Sequence, residues 1–299
     1  MCATCGCGDT TGPRVSVVAG GEHEQDDSHG HGHHHDHDHD HDHDHDHDHD
    51  HDHDHDHDHD HDHDHDHDHD HGHGHSDHTV ILQQQVLAKN DGIAVHNREW
   101  MRGRGITALN IMSSPGAGKT TLLARTIREL GRQRPIAVIE GDQETRLDAE
   151  RIREAGASVV QVNTGAGCHL DAEMIDRALR ALDPADESLL LIENVGNLVC
   201  PALFDLGEEG KVVLISTPEG GDKPKKYPHI FAVADLVVIN KIDLLPVVEF
   251  DVDACVAQAK ILNPAVRVVV LSATTGEGMD EWYEWIGSRS AISPVAVDN

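Results

Sequence analysis

The chain contains eighteen consecutive His-Asp pairs, which fill residues 35–70. This repeat has no large apolar side chain, so it cannot bury enough surface to offset the conformational entropy that folding would cost. Residues 1–79 hold 27 of the 30 histidines and 24 of the 55 acidic residues, but only one of the 23 basic residues. We therefore predict a disordered, Cys- and His-rich segment over residues 1–79, called the tail below, and one folded domain over residues 80–299.

Composition argues against several classes of protein. The sequence has no stretch of about 18 or more apolar residues, as a transmembrane helix would need. Its first residues lack the basic segment and apolar stretch of a secretory signal. We therefore expect a cytoplasmic protein without a membrane partner, whose six cysteines are thiols or metal ligands rather than disulfides. The folded domain is net negative and would be repelled by phosphates, so we expect no nucleic-acid partner.

The tail has the composition of a metal reservoir. Neutral imidazole is a common ligand for zinc, nickel and copper, and alternating carboxylates raise the local cation concentration. The repeat begins with His35, His37 and His39, which we expect to be metal ligands. Since histidine titrates near pH ~6.5, metal should bind well above that pH and be lost below it. The alternative is a solvated repeat without function.

After the tail, apolar runs alternate with amphipathic segments. Residues 80–102 have helical spacing that is interrupted at residues 90–92, which predicts two short helices. Strands are predicted over residues 108–112, 136–140, 158–162, 189–193, 212–216, 236–240 and 268–271, with helices near residues 119–131, 146–155, 171–182, 252–262 and 279–287. This order predicts an α/β fold with a mostly parallel, doubly wound sheet.

A phosphate-binding loop follows the first of these strands. Residues 113–120 read SSPGAGKT and lead into a predicted helix, as in a P-loop NTPase. The glycines would let backbone N–H groups surround the phosphates, while the lysine would reach the β- and γ-phosphates. We expect nucleotide to be bound by Gly116, Gly118, Lys119, Thr120 and Thr121, with Lys119 also catalytic and Thr120 on Mg²⁺. Ser113 stands where glycine is usual, and the alternative is a chance glycine-rich turn.

Two further strands end in carboxylates, at Asp142 and Glu193. In a doubly wound sheet, ligands bind at the carboxyl ends of the strands. These two residues are therefore catalytic candidates that could hold Mg²⁺, directly or through water, or could orient the attacking water. The sequence does not decide which carboxylate has which role. Either one could instead cap the following helix.

A guanine-reading motif follows the sixth predicted strand. The sequence Asn240-Lys241-Ile242-Asp243 places a carboxylate where it could accept hydrogen bonds from N1–H and the 2-amino group of guanine. We expect Asp243 to be buried there, Asn240 to tie the loop, and the Lys241 stem to pack on the base. One strand later, a backbone N–H of Ser272, Ala273 or Thr274 could meet guanine O6. The nucleotide is therefore predicted to be GTP.

A second metal site is predicted in the folded domain. Cys168 and His169 begin a predicted helix, and Cys200 lies in the loop after the strand that ends at Glu193. Because both segments follow consecutive strands of one sheet, the three side chains could converge near the nucleotide. Two thiols and an imidazole suit Zn²⁺ or Ni²⁺. The alternative is two buried thiols and a histidine satisfied in the core. For Cys255, a small core residue is the preferred interpretation.

Taken together, these motifs resemble a known family. The segments SSPGAGKTTLL, GDQETRLDAERI, GAGCHLDAEM, LLLIENVGNLVCPALFDLGE and NKIDLL, with the initial CATCGCG and the His-rich tail, are similar to the hydrogenase nickel-incorporation GTPases of the HypB family. The resemblance extends from residue 1 to about residue 287. It implies a fold of the signal-recognition and septum-placement class of GTPases, and delivery of nickel to the large-subunit precursor of a [NiFe] hydrogenase. It also implies a homodimer in the nucleotide-bound state and a nickel-chaperone partner of the HypA type.

The resemblance also implies two metal sites besides the His-Asp repeat. One is an N-terminal site made by Cys2, Cys5 and Cys7, in which removal of Met1 would free an amine as a fourth ligand. Three thiolates and an amine suit square-planar Ni²⁺. The other is made by Cys168, His169 and Cys200 near a dimer interface.

Two other functions remain open. The urease-maturation GTPases have a similar domain, but their metal motif is Cys-Pro-His, whereas this chain has Cys200-Pro201-Ala202. The second alternative is a nickel and zinc storage or buffering protein, in which the GTPase domain is a regulated anchor for the tail.

Overall fold

The computed structural model describes residues 14–17, 74–142, 147–165 and 167–289. Within these residues, eight strands form one sheet in the order β1-β4-β3-β5-β2-β6-β7-β8. All neighbouring strands are parallel except the pair β1 and β4. The strands are β1 (Arg14–Val17), β2 (Thr107–Ser113), β3 (Ile136–Asp142), β4 (Ser158–Asn163), β5 (Leu189–Glu193), β6 (Gly210–Ser216), β7 (Leu236–Asn240) and β8 (Arg267–Val270). The seven predicted strands and the mostly parallel sheet are confirmed.

The α-helices of the described residues lie on both faces of this sheet. They are α1 (Gly74–Gly103), α2 (Lys119–Leu130), α3 (Leu147–Glu154), α4 (Ala172–Leu182), α5 (Lys223–Lys226), α6 (Pro228–Val233), α7 (Val252–Leu262) and α8 (Met279–Arg289). The five helices predicted after residue 118 are confirmed, while the short α5 and α6 were not predicted. Among these helices, none combines the length and apolar content that crossing a membrane requires.

Residues 80–102 form part of one helix, so the prediction of two short helices is wrong. The side chain of Asn90, which suggested a break, is buried, and both its amide nitrogen and its oxygen form hydrogen bonds. Asn90 Nδ2 donates to Asp205 O at 2.8 Å, and Asn90 Oδ1 accepts from Ala172 N at 2.9 Å. These tertiary hydrogen bonds hold α1 against the domain and override the weak helix propensity of residues 90–92.

The prediction that residues 1–79 have no folded structure is wrong for two segments. Arg14–Val17 pairs with β4 and becomes the edge strand of the sheet, and Val15 packs against the apolar core. Two valines in a four-residue stretch suffice for an edge strand because β4 supplies the pairing. The other segment is the first turns of α1. The predicted tail ligands Cys2, Cys5, Cys7, His35, His37 and His39 lie outside the described residues.

Alternating side chains of the strands form a core on each face of the sheet. On the face that carries α2, α3 and α8, the pairs Ile136 and Val138 of β3, and Leu189 and Leu191 of β5, are buried in one cluster. The opposite face packs on α1 and α4 near β3 and β5, and on α6 and α7 near β6 and β7. Cys255 lies in the latter core and burial raises its pKa to about 11, as expected for an unreactive thiol.

Candidate functional site

A cavity of about 600 Å³ lies at the carboxyl ends of β2, β3 and β5. The P-loop forms one of its walls, and two glycines there adopt backbone conformations that other residues rarely adopt: φ is 76° at Gly116 and 99° at Gly118. A Cβ atom at Gly118 would also lie 2.6 Å from Asn240 Nδ2. The lining includes the predicted residues Gly116, Gly118, Lys119, Thr120, Thr121, Asp142, Cys168, Glu193 and Lys241.

The two P-loop side chains expected on phosphate and Mg²⁺ are already oriented by other residues of the site. Lys119 Nζ donates to Ser113 Oγ at 2.9 Å, and Thr120 Oγ1 donates to Glu193 Oε1 at 3.0 Å. The serine that replaces the usual glycine at position 113 therefore provides an acceptor for the lysine. Glu193 is brought to the threonine that would bind Mg²⁺, in agreement with its predicted place at this edge.

Glu140 is a site residue that the sequence analysis missed. It follows Ile136 and Val138 on the same face of β3, and it is paired in register with Glu193 of β5. Both carboxyl groups are buried, and Oε2 of each has no hydrogen-bond partner in the described part of the chain. Burial and the charge of Glu193 raise the pKa of Glu140 to about 8. The alternation along β3 already places residues 136, 138, 140 and 142 on one face, and this pattern could have identified Glu140.

Burial also raises the pKa of Glu193, to about 7, against the opposing effects of Lys119 and the Thr120 hydrogen bond. Asp142 and the α3 residue Asp148 line the same cavity. Buried carboxylate oxygens without a partner cost free energy unless a cation or proton compensates them. The donor set of hydroxyl and carboxylate oxygens therefore fits Mg²⁺.

The guanine-motif residues lie beside the P-loop. Asn240 is buried, its Nδ2 donates to Ala117 O at 2.9 Å, and its Oδ1 accepts from Ala273 N at 3.0 Å. Asn240 thus ties three loops together, as predicted. Lys241 adopts a left-handed conformation, with φ of 64°, and donates to Gly116 O at 2.7 Å. Asp243 is exposed in the protein alone, so a bound base would have to cover it for the expected burial.

The loop after β8 presents fewer free donors than expected. Ser272 N donates to Glu277 O, and Ala273 N is taken by Asn240 Oδ1. Among the three predicted residues, Thr274 is the one whose backbone N–H has no hydrogen bond within the described residues. Arg125 of α2 fixes the loop through the carbonyl oxygens of Ala273 and Thr274, at 3.3 and 3.1 Å.

The predicted metal ligands of the folded domain are brought together. One potential ligand atom from each of Cys168, His169 and Cys200 lies within 4.8 Å of the other two, and all three residues are half-buried. Two ligand atoms each about 2.3 Å from one ion are at most ~4.6 Å apart, so a small closure would place all three on one ion. Burial lowers the pKa of His169, which favours the neutral imidazole that binds metal. Three protein ligands would leave a position open for exchange.

The route by which these ligands meet differs from the prediction. β4 and β5 are consecutive in the chain but not adjacent in the sheet, because β3 lies between them. The loop after β4 must therefore cross the end of β3. It does so over Gly141, where a Cβ atom would lie 2.8 Å from Leu170 Cγ. Cys168 and His169 belong to this loop and not to the helix, since α4 begins at Ala172 with Asp171 as its N-cap.

The two loops that carry the predicted metal ligands contact each other directly. Asn197 Nδ2, in the loop after β5, donates to Cys168 O at 3.2 Å. His169 stacks on Phe204 with ring centroids 4.0 Å apart. In the same loop, Gly196 approaches the P-loop so closely that a Cβ atom there would lie 3.1 Å from Pro115 Cγ. The loop after β5 therefore touches both the P-loop and the predicted metal ligands.

Comparison with known proteins agrees with this geometry. Residues 107–270 match the family described as CobW/HypB/UreG, nucleotide-binding domain. Hydrogenase maturation factor HypB of Azotobacter vinelandii is 57% identical over 205 residues, which cover 69% of this chain and 68% of that protein. HypB of Escherichia coli K12 is 54% identical over 204 residues, covering 68% and 70%.

Two solved structures are also similar. The crystal structure of HypB from Archaeoglobus fulgidus has a TM-score of 0.63 and 45% identity, and the match covers 67% of this chain and 97% of that one. The structure of Helicobacter pylori HypB in complex with nickel has a TM-score of 0.64 and 37% identity, with coverage of 71% and 99%.

Fold and site together define a P-loop nucleotide-binding protein with a candidate Cys/His metal cluster. Within that class, the chain belongs to the HypB family of hydrogenase maturation factors.

Proposed function

We propose that this protein is a Mg²⁺-dependent GTPase that binds nickel and inserts it into the large-subunit precursor of a [NiFe] hydrogenase. The observation that carries the proposal is that Cys168, a member of the Cys168–His169–Cys200 cluster, lines the same cavity as the P-loop. A nucleotide and a metal ion would thus be bound on either side of one loop. Membership of the HypB family supports the hydrogenase as the recipient.

In the nucleotide half of the cycle, residues of the P-loop exchange protein partners for phosphate. Lys119 leaves Ser113 for the β- and γ-phosphate oxygens, and the Thr120 hydroxyl leaves Glu193. Thr120, Asp142 and Glu193 would hold Mg²⁺ directly or through water, and the ion when bound would neutralise phosphate charge. A carboxylate released from Thr120 can orient a water molecule toward the γ-phosphate. Asn240 and Asp243 read guanine.

In the metal half of the cycle, nickel is cargo. The Cys168–His169–Cys200 cluster holds Ni²⁺ or Zn²⁺, and its open position allows a ligand from the donor or recipient protein to enter before another leaves. Cys2, Cys5 and Cys7 form a further Ni²⁺ site, and the repeat that begins with His35, His37 and His39 supplies a reservoir. The protein works in the cytoplasm as a nucleotide-bound homodimer with a HypA-type nickel chaperone.

Hydrolysis gives the transfer its direction. The loop after β5 connects Glu193, the last residue of the strand, to Cys200, so loss of the γ-phosphate changes the contacts at one end and the metal ligand at the other. A ligand biases a two-state segment only by its differential affinity, and the bias is reciprocal between the two sites.

Rescue of hydrogenase tests this proposal most directly. The full chain should restore hydrogenase activity to a strain that lacks its own HypB, while Lys119→Ala and Cys200→Ala should not. The purified chain should bind GTP and GDP but not ATP, and it should take up Ni²⁺. Rescue by the Lys119→Ala variant would refute a nucleotide-dependent insertion.

Storage is the alternative that the sequence of the tail favours. A storage protein would lose its metal-binding capacity when the repeat is removed. An insertion factor would still activate hydrogenase when nickel is plentiful. A Helicobacter pylori relative, 38% identical over 217 residues, is named hydrogenase/urease maturation factor HypB. Measuring urease activation in the same rescue strain therefore decides whether the delivery extends to a second enzyme.

A further inference from the structure

Glu140 places a buried charged side chain in the wall of the nucleotide cavity, where an apolar side chain would satisfy the packing. Along one face of β3, two apolar side chains precede it and pack against α2 and α3, and at position 140 the row becomes charged. Only 2% of Glu140 is exposed. Burying an ionisable group at this depth is unfavourable unless other groups compensate it. Gln161 of β4 hydrogen-bonds the Glu140 side chain, but Glu140 Oε2 has no partner within the described residues, which leaves room for a further compensating group in the cavity.

The neighbouring carboxyl group cannot be that partner. Glu140 and Glu193 are paired in register on adjacent parallel strands, so their side chains lie on the same face of the sheet. Two ionised carboxyl groups at paired positions of adjacent strands repel each other. Each has an Oε2 atom with no hydrogen bond in the described residues, and both atoms are buried. Both residues line one cavity from adjacent strands, so a cation between or in front of them would compensate both carboxyl groups.

The charge of the cavity leads to the same conclusion. Its lining contains four acidic residues against three basic residues, and the proposed ligand is itself a highly charged anion. The hydroxyl that would bind Mg²⁺, Thr120 Oγ1, is 3.0 Å from Glu193 Oε1. Glu140 therefore stands one strand away from the position at which a P-loop cation is held.

We propose that Glu140 is a further positioning residue of the divalent-cation site, holding a water ligand of the cation jointly with Glu193. The inference rests on the proposed function, since it concerns the cation that accompanies the nucleotide. It adds Glu140 as a third carboxylate of the site, beside the strand-end residues Asp142 and Glu193. An ionised carboxylate in this position has opposite effects in two conditions: it repels phosphate when the cation is absent, and it strengthens phosphate binding through the cation when the cation is present. Because burial raises the pKa of Glu140 to about 8, the two conditions are compared above that pH.

These opposite effects distinguish a cation-positioning role of Glu140 from a merely structural one. GDP affinity of the metal-stripped full chain is measured by calorimetry in EDTA and in excess Mg²⁺, for the parent and for Glu140→Gln. In EDTA the variant should bind GDP as tightly as the parent or more tightly. The enhancement of GDP affinity by Mg²⁺ should fall about tenfold, the size expected when an outer-sphere partner of a metal is lost.

Two control variants separate this effect from general ones. Glu208→Gln also replaces a buried carboxylate, but on a residue outside the cavity lining, and it should leave the Mg²⁺ enhancement unchanged. Asp148→Asn removes one charge from a half-buried residue of the same cavity and should reduce the enhancement less than Glu140→Gln does. If Glu140→Gln fails to fold, Glu140→Asp keeps the charge but withdraws it from the cavity, and it should lose part of the enhancement.

An unchanged Mg²⁺ enhancement in a folded Glu140→Gln variant, beside a clear enhancement in the parent, overturns the inference and leaves the proposed function intact. An equal reduction in Glu140→Gln and Asp148→Asn also overturns it, because net charge alone would then explain the effect. If the parent shows no Mg²⁺ enhancement, both the Mg²⁺-dependent GTPase and the role of Glu140 fail.

Discussion

Asn194 Oδ1 accepts a hydrogen bond of 3.1 Å from the Leu170 backbone N–H. The residue after Glu193 is thereby bonded to the residue after His169, so a carboxylate that lines the cavity and a predicted metal ligand flank one hydrogen bond. Asn194 is almost fully buried, and it also accepts from Val195 N and donates to Asn110 of β2. Movement at the end of β5 must therefore break this network or move the loop that carries Cys168 and His169.

Replacing Asn194 tests the role of this network. Asn194→Ala leaves two buried backbone N–H groups without their acceptor, and we expect it to lower the free energy of unfolding by about 1–3 kcal/mol. Zn²⁺ affinity at the Cys168–His169–Cys200 cluster should also fall. Asn194→Asp keeps an acceptor at the same place and should retain more of the metal affinity. Urea denaturation and titration against a competing chelator measure the two effects; parental affinity in Asn194→Ala would show that the hydrogen bond does not position the ligands.

Gly141 is expected to control whether the ligand loop can cross β3. In Gly141→Ala the new Cβ atom would press on Leu170, so the loop must shift; overpacking of this kind costs about 1–3 kcal/mol. Metal affinity should fall together with stability. The double variant Gly141→Ala/Leu170→Ala relieves the clash, so the two substitutions should be less damaging together than the sum of the single effects. Stability is measured by thermal unfolding and metal affinity by titration. Strictly additive losses of both in the double variant would mean that the loop does not depend on this contact.

The strands could be predicted because each is an apolar run, and several of these runs end where a chemical motif begins, as at Ser113, Asp142 and Asn240. The sequence did not predict the order of strands in the sheet, since chain order alone placed β5 next to β4. The crossing over Gly141 could not be inferred for the same reason: a glycine after a strand has many causes. Glu140 was missed because a charged residue within an apolar run was assigned to the strand and not to the cavity.

Local sequence was also misleading where tertiary contacts decide the outcome. Asn90 reads as a helix interruption, yet its two long-range hydrogen bonds keep α1 continuous. Arg14–Val17 reads as part of a polar tail, yet β4 offers it an edge. In both cases the partner lies more than 80 residues away in the chain, where no local pattern reveals it.

Guanine specificity is expected to depend on Asp243. Asp243→Asn replaces a group that only accepts hydrogen bonds with an amide that presents a donor toward guanine N1–H or its 2-amino group. GTP binding should weaken by about 2 kcal/mol or more, and xanthine nucleotide should bind better. Because Asp243 is exposed in the protein alone, the stability of the free variant should be unchanged. Calorimetry that finds parental GTP affinity would remove the assignment of the guanine site.

The tail and the GTPase domain are expected to be separable. Deletion of residues 23–73, which retains β1 and the whole of α1, should remove most of the nickel stoichiometry and leave GTP turnover intact. Rescue of hydrogenase should then suffer mainly when nickel is scarce. Nickel content by atomic absorption and phosphate release at saturating GTP measure the two properties. Loss of GTP hydrolysis in a folded deletion variant would contradict the division of labour.

The central claim is that nucleotide state and metal affinity are coupled through the loop between Glu193 and Cys200. The decisive measurement is the affinity of the Cys168–His169–Cys200 cluster for Ni²⁺ and Zn²⁺ with GDP and with a non-hydrolysable GTP analogue. It requires a protein that lacks residues 23–73 and carries serine in place of Cys2, Cys5 and Cys7, so that other predicted sites do not contribute. Cys200→Ala in the same background is the matched control.

We expect the metal affinities in the two nucleotide states to differ by about 5-fold or more, a coupling of about 1–3 kcal/mol. Cys200→Ala should abolish the difference while nucleotide still binds. Equal metal affinities in the two states would contradict the account and leave the cluster a structural site without a role in GTP-gated transfer.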